Sequence, residues 1–553
     1  MSRRGILLRR FALAAALVGP AGAAHAAEPA DGAMAALEAE LTRALDLHLP
    51  GLDKPYFVAI RMVDLQTLQA SAALGTVVSD PEVVHQRWVR PEVRVGSWQT
   101  DSVGGGPRMT VLDDLAGLRH DVWLASDEAY KGAVAALSRK RATLKNRVET
   151  DPAPDFSPEE PVRDVLSARQ TDLDAGRWRA AIRRLSAVFR EFPSIQESSV
   201  DLQVTAGSRY LLTSEGTRLR VPGGLAMLSV QASTQATDGA PVRDSALYIA
   251  KRLEDLPDEA ALAAAARRIA EKVTALASAP TVESYTGPVL FTGQASAMLF
   301  AQVLLPQLSD RRPSIVTEQT RRNDLGDKIG RPVLPPFLSV VDDPTQASFD
   351  GKPLVGTYVY DDEGVRARPV TLVENGVLKA LLMSRRPSKE IQKSNGHGRG
   401  QIQSSYGVSA GNVFVKVADG KAAADPRAEL LRICKEQGLA FGILVRVLPS
   451  PFGGGGGGSA LSPLEAYRVS TADGREELVR GLVAGDVTMR TLKDIVAAGS
   501  DMYSGSRLFT MGASSIVAPS VLVSEMEFRR EPGSRQALPL LLSPLSLAKT
   551  AAH

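Results

Sequence analysis

Apolar and polar residues recur along this chain with two periods, and the change of period divides it. Residues 31–49, "DGAMAALEAELTRALDLHL", place Leu37, Leu41 and Leu45, with Leu47 or Leu49, near helical spacing and predict an amphipathic helix. Extended segments are expected at 56–64, 68–78 and 85–97. The stretch 126–146 reads as a helix opened by Ser126 with acids in its first turn. A proline-bearing connector at 149–161 marks a subdomain joint, and 177–192 reads as a second helix. From 198 to 235 the chain alternates strictly, which predicts a meander of antiparallel strands. A long helix is expected over 258–278, with Leu262, Ile269, Val273 and Leu276 on one stripe.

Beyond residue 281 the pattern shortens to β-prone pieces punctuated by "VVDDPTQ", "YDDEGV", "VENGVL" and "NGHGRG". The fold class is therefore α+β. An N-terminal α/β domain over 27–280, with helices on a sheet, precedes a β-rich domain over 281–530 and a tail at 531–553. "GGGGGG" at 453–458 predicts a mobile surface loop, because glycine loses the most entropy on ordering. No Lys-Ser/Thr follows it at phosphate-loop spacing.

Composition alters the picture at the start of the chain. Residues 1–26 combine an arginine-bearing start, an apolar middle and a small-x-small end at Ala24-His25-Ala26, the pattern of a cleaved export signal. The expected destination is the periplasm or the exterior. Ser2-Arg3-Arg4-Gly5-Ile6-Leu7 leaves twin-arginine export open beside general secretion. The leader holds Arg3, Arg4, Arg9 and Arg10 and no acid, so a net charge of +3 becomes −1 after its loss. No clustered basic stretch predicts a nucleic-acid footprint, and no later segment approaches the length of a membrane span. The single cysteine, Cys434, cannot form an intramolecular disulfide and reads as a buried helix residue.

Candidate chemistry is sparse. The five histidines after the leader lie no closer than 35 positions apart, so no local His-x-x-x-His pair exists. "GVSAG" places Ser409 in a G-x-S-x-G frame, yet "NVFVKVADG" follows as strand where a nucleophile elbow needs a helix. Asp342-Asp343 and Asp361-Asp362-Glu363 are dense enough for paired carboxylates, but "DDP" and "DDEG" read better as turns.

Taken in order, "YTGPVLFTGQASAMLF", "VVDDPTQ" and "GTYVYDDEGVRARPVTLVENGVLKALLMSRRPSKEIQKSNGHGRG" resemble the C-terminal half of the TldD/PmbA family, the metallopeptidase-related "modulators of DNA gyrase". The resemblance is strong over 281–400 and weaker over 50–528, where "DVWLASDEAYKGAVAALSRKRA" and "LLTSEGT" take part. It implies an α/β N-terminal domain, a β-rich C-terminal domain, and homodimers or heterodimers around a cavity where unfolded peptide is cleaved. Active members carry a His-Glu-x-x-x-His zinc motif after the "GPVL" segment and a third ligand, a cysteine, near the C-terminus.

Here the motif positions fall on Ala301, Gln302 and Pro306, and no cysteine follows Cys434. A methyl and a pyrrolidine ring bind no metal, and a carboxamide cannot take a proton from metal-bound water. Two histidines five apart on a regular helix would also diverge by about 140°, so the active motif needs a distorted turn. Leu305 stands where a glycine would ease it. The non-catalytic, PmbA-like branch also lacks the motif. The resemblance thus implies an exported family member without its own zinc or other cofactor. It would bind peptide or serve as partner, in a homodimer or beside a homologous TldD-like subunit. The alternative is a peptidase with a relocated or partner-supplied site, for which His397 in "NGHGR" is the local candidate.

Overall fold

The computed structural model describes residues 31–145, 153–167, 173–309, 325–389, 391–403, 406–449, 461–509, 512–531 and 537–546. The export leader, the six-glycine run, the start of the 149–161 connector and much of the tail lie outside these residues.

The first half is a long sheet with helices on one face. Its strands are β1 (Pro55–Ala73), β2 (Thr76–Gly96), β3 (Asp101–Gly104), β4 (Arg108–Thr110), β5 (Arg163–Val165), β6 (Glu197–Thr213), β7 (Arg218–Gln235) and β8 (Pro241–Ala250). They run in the order β3-β2-β1-β6-β7-β5, with β4 beside β2 and β8 beside β7. The meander expected from the alternation is β6, β7 and β8. The segments expected at 56–64 and 85–97 extend into one unbroken hairpin, and the chain reverses inside the supposed strand 68–78. Leu74 (φ 46°) and Gly75 (φ 72°) make that reversal, and only glycine takes such a backbone without strain.

Helices α1 (Gly32–Leu45), α2 (Leu115–Lys145), α3 (Ala175–Ala187) and α4 (Glu259–Ser278) complete this half. Asp31 caps α1 by accepting the Met34 N–H. The helix stops short of the expected residue 49, and the Leu49 N–H is taken by the Tyr130 hydroxyl. Ser126 does not open a helix. It is buried in the middle of α2, whose first turn is capped twelve residues earlier by Asp114 accepting from Ala116. Leu118, Val122, Ala125 and Ala129 carry the apolar stripe across both segments, which a serine followed by two acids had seemed to interrupt. In α4 the expected stripe of Leu262, Ile269, Val273 and Leu276 is buried, and Asp258 caps the helix.

Side-chain parity assigns the two faces of the sheet. Val58, Ile60 and Met62 of β1 pack with Leu212 of β6 and with α1 and α2. Further along the same face, Leu68, Val200, Leu202 and Leu228 pack under α3 and α4. Alternate residues point the other way. There Arg61, Arg209, Leu225 and Met227 meet the second half of the chain.

The second half is built on an 11-stranded sheet. Its spine is the strand Gly512–Arg530. This runs antiparallel to β9 (Ser284–Phe291) and parallel to Asn412–Val417, which in turn pairs with β10 (Leu338–Asp342). Helix α5 (Gln294–Val303) follows β9, and α6 (Pro426–Glu436) holds Cys434 buried among Leu290, Leu430 and Leu444. Burial pushes the Cys434 thiol pKa up, the reverse of what a reactive thiol requires. Among the described residues, no helix is long and apolar enough to cross a membrane.

Candidate functional site

Strand β9 delivers the chain to α5 through Gly293, whose φ of 53° turns it sharply into the helix. Residues Ala295–Ala301 are all buried. The face of α5 toward the 448–449 loop is fixed by two carboxamides. Gln294 exchanges hydrogen bonds with both backbone groups of Leu448 at 2.8 Å, and Gln302 Nε2 donates to the Pro449 carbonyl at 2.9 Å. Ala301 is fully buried, and its carbonyl oxygen accepts from the guanidinium of Arg507 on the strand Ile495–Phe509. Pro306 is exposed in the short 3-10 turn Leu305–Gln307, and Leu305 is packed in the core.

These residues do not fit a zinc ion. Protein zinc ligands are thiolates, imidazoles and carboxylates, and positions 301, 302 and 306 supply none of them. The Gln302 carboxamide donates through Nε2 to Pro449, and its neutral Oε1 is buried without a hydrogen-bond partner among the described residues. Arg507 adds a cation against the same helix, and a second positive charge there would be repelled. Burial lowers the Arg507 pKa.

The acidic turns prove to be scaffolding around His397. Asp343 accepts the Thr345 N–H at 2.9 Å, and Asp361 accepts N–H groups from Glu363, Val365 and Gly398 at 2.8–3.0 Å. Loss of hydration and the neighbouring Glu363 charge push the Asp361 carboxyl well above its ordinary pKa. Glu363 accepts the Arg385 backbone N–H at 2.7 Å. Asp342 is fully buried and accepts from Gly411 N–H. His397 is fully buried too. Its Nδ1 faces the Asn395 carbonyl (3.0 Å) and Oδ1 (3.2 Å), two acceptors, so this nitrogen bears the proton. The other nitrogen lies 3.5 Å from Asp342. His397 thus ties turns together, out of reach of solvent. Ser409 lies in the short connection between the strands Gly407–Val408 and Asn412–Val417, with no helix after it.

Charged groups line the seam between the two halves, and apart from Asp362 the sequence did not single them out. Glu92 of β2 takes Arg61 and Arg94 at 2.7 Å each, and Arg94 continues to Asp101 at 2.8 Å. Burial alone would raise the Glu92 pKa, but the two guanidinium groups outweigh it and hold the carboxyl below its usual range. Arg385, fully buried, forms a two-pronged pair with Glu215 at 2.7 and 2.8 Å and donates to the Ser157 carbonyl. Asp362 is gripped by Arg209 (2.6 Å) and Arg399 (3.2 Å), and these cations overcome the effect of burial and keep it ionised. The only available signal was the run "RWVRPEVR", in which charges alternate with valines.

Among the described residues, no three His, Cys, Asp or Glu side chains converge as a metal-ligand set. Residues 284–530 match the model of the PmbA/TldA metallopeptidase C-terminal domain. A metalloprotease of Methanothermobacter thermautotrophicus is 30% identical over 186 residues, 33% of this chain and 37% of that protein. A metalloprotease of Methanocaldococcus jannaschii is 35% identical over 94 residues, 17% of this chain and 20% of that one. The matched stretches thus span little more than a third of these relatives at most. The fold is similar over most of the chain to TldE from Thermococcus kodakarensis: TM-score 0.59, 17% identity, 90% of this chain and 99% of that one. A Thermotoga maritima protein described as a modulator of a DNA gyrase gives a TM-score of 0.57 at 17% identity, covering 85% and 96%. An α/β half followed by a β-rich half is the architecture shared with these structures. Residues 284–530 thus form a C-terminal domain of the TldD/PmbA type, and the fold of the chain as a whole is that of the solved structures it resembles.

Proposed function

We propose that this chain is an exported, zinc-free member of the family that binds unfolded peptide or completes a proteolytic assembly. It would do so as a homodimer or beside a homologous TldD-like subunit. One observation carries the reading: at the helix that follows β9, Ala301, Gln302 and Pro306 replace every ionisable group of the zinc motif, and Arg507 holds a cation against it. The competing reading, a peptidase with a site moved to His397, is weakened by that residue's complete burial and by its engagement with Asn395. Export rests on the leader, with cleavage expected after Ala26.

Elemental analysis of the purified mature chain is expected to find no stoichiometric zinc, and casein digestion should be absent with or without chelator. Co-purification with an exported relative that keeps the His-Glu motif would support the partner role. One tightly held zinc per chain, with chelator-sensitive digestion, would end this reading.

A further inference from the structure

Where β6 and the end of β8 meet the turns of the second half, two guanidinium groups hold one carboxylate and an ammonium lies near both of them. Arg209 Nη1 donates to Asp362 Oδ1 at 2.6 Å, and Arg399 Nε donates to Asp362 Oδ2 at 3.2 Å. Gly400 N–H takes the same Oδ2 at 2.9 Å. Lys251 donates its ammonium to the Thr357 carbonyl and interacts electrostatically with both guanidinium groups. Asp362 therefore answers two positive groups, and Lys251 adds a third positive charge beside them.

The cluster is also short of acceptors. Arg209 Nε and Arg399 Nη1 are buried and have no hydrogen-bond partner among the described residues, and Arg399 as a whole is only 9% exposed. Arg209 keeps 38% of its side chain exposed, so the group opens to the outside. Gly223 on β7 leaves space beside the bare Arg209 Nε: a methyl there would stand 3.5 Å from it. Apolar surface adjoins the cations. Leu225, Met227, Leu247 and Leu508 are half-buried around Ile249, two residues before Lys251, and Val355, two before Thr357.

We propose that Arg209, Arg399 and Lys251 anchor the C-terminal carboxylate of a bound peptide, whose last side chain lies on the neighbouring apolar surface. A carboxylate supplies the two acceptors that the guanidinium groups lack and offsets the excess positive charge. The inference rests on the peptide-binding reading above and adds the end of the peptide that is recognised.

The test uses the full mature chain and an N-terminally labelled, unstructured decapeptide ending in leucine, made as free acid and as amide. Fluorescence anisotropy should show the acid bound about tenfold more tightly, the effect of one charge-assisted contact pair. Arg209→Gln and Lys251→Met should each bring the acid's affinity toward that of the amide. Lys251 is an exposed residue, so its variant decides the matter if Arg209→Gln does not fold. Equal binding of acid and amide overturns the anchor and leaves peptide binding standing. Binding of neither overturns both. Inorganic phosphate titrated alone separates the sources: if it binds through the same residues while acid and amide remain equal, the site takes free anions and the carboxylate assignment falls.

Discussion

Helix α5 and the seam between the two halves are both buried, and they treat charge in opposite ways. Around α5, positions 301, 302 and 306 carry a methyl packed in the core, a carboxamide bonded to Pro449 and an exposed ring, none of them ionisable. Along the seam, carboxylates and guanidinium groups are enclosed together, each holding others in place. Burial is tolerable for an ion only when a partner is buried with it. Side chains without ionisable groups need only packing and neutral hydrogen bonds to be buried. A seam of matched ions must keep all its members.

The largest effect expected follows from breaking that matching. Glu92→Ala leaves Arg61 and Arg94 enclosed without their shared carboxylate, and should lower unfolding free energy by about 3–5 kcal/mol. Chemical denaturation at pH 7 measures it, and a loss below about 1 kcal/mol would mean that water enters the seam.

A lone buried acid offers the converse. Asp244 on β8 accepts the Ser245 N–H at 2.8 Å and has no ion pair among the described residues. Loss of hydration raises its pKa to about 7. Because the folded value exceeds the unfolded one, the native state retains the proton, and stability falls as pH rises from about 4 through 7. Asp244→Asn should therefore change little at pH 4 and stabilise at pH 8, by up to about 4 kcal/mol. Thermal melts across that range follow the sign directly, and a gain that did not depend on pH would point to packing instead.

The smallest effect belongs to α5. Gln302→Ala removes one neutral hydrogen bond, to Pro449, and should cost about 1 kcal/mol. A loss as large as that of Glu92→Ala would erase the contrast between the two regions.

Periodicity made the helix-bearing face legible. The stripe of α4, the β6–β8 meander and the turn roles of Asp343 and Asp361 could all be read from spacing and turn chemistry. The Ser126 boundary misled because an acidic first turn is a cap signal only where the apolar stripe begins, and here the stripe began at Leu118. The seam was illegible for a deeper reason. In β2, Val89, Val93 and Val95 alternate with Arg90, Glu92 and Arg94, and that pattern predicts a face turned to water. Alternation distinguishes polar from apolar faces, but not a face wetted by solvent from one covered by complementary ions. That positions 301, 302 and 306 carry no ionisable side chain was legible from residue types alone. Arg507 was not, because it reaches α5 from two hundred residues away in sequence.

The ionic character of the first sheet's far side also bears on how the chain is made. While the second half is still being synthesised, that surface awaits its partner presenting guanidinium and carboxylate groups, which water solvates well. A greasy surface in the same position would invite the half-made chain to clump with its neighbours. The emerging polypeptide can thus wait in solution for its own remainder.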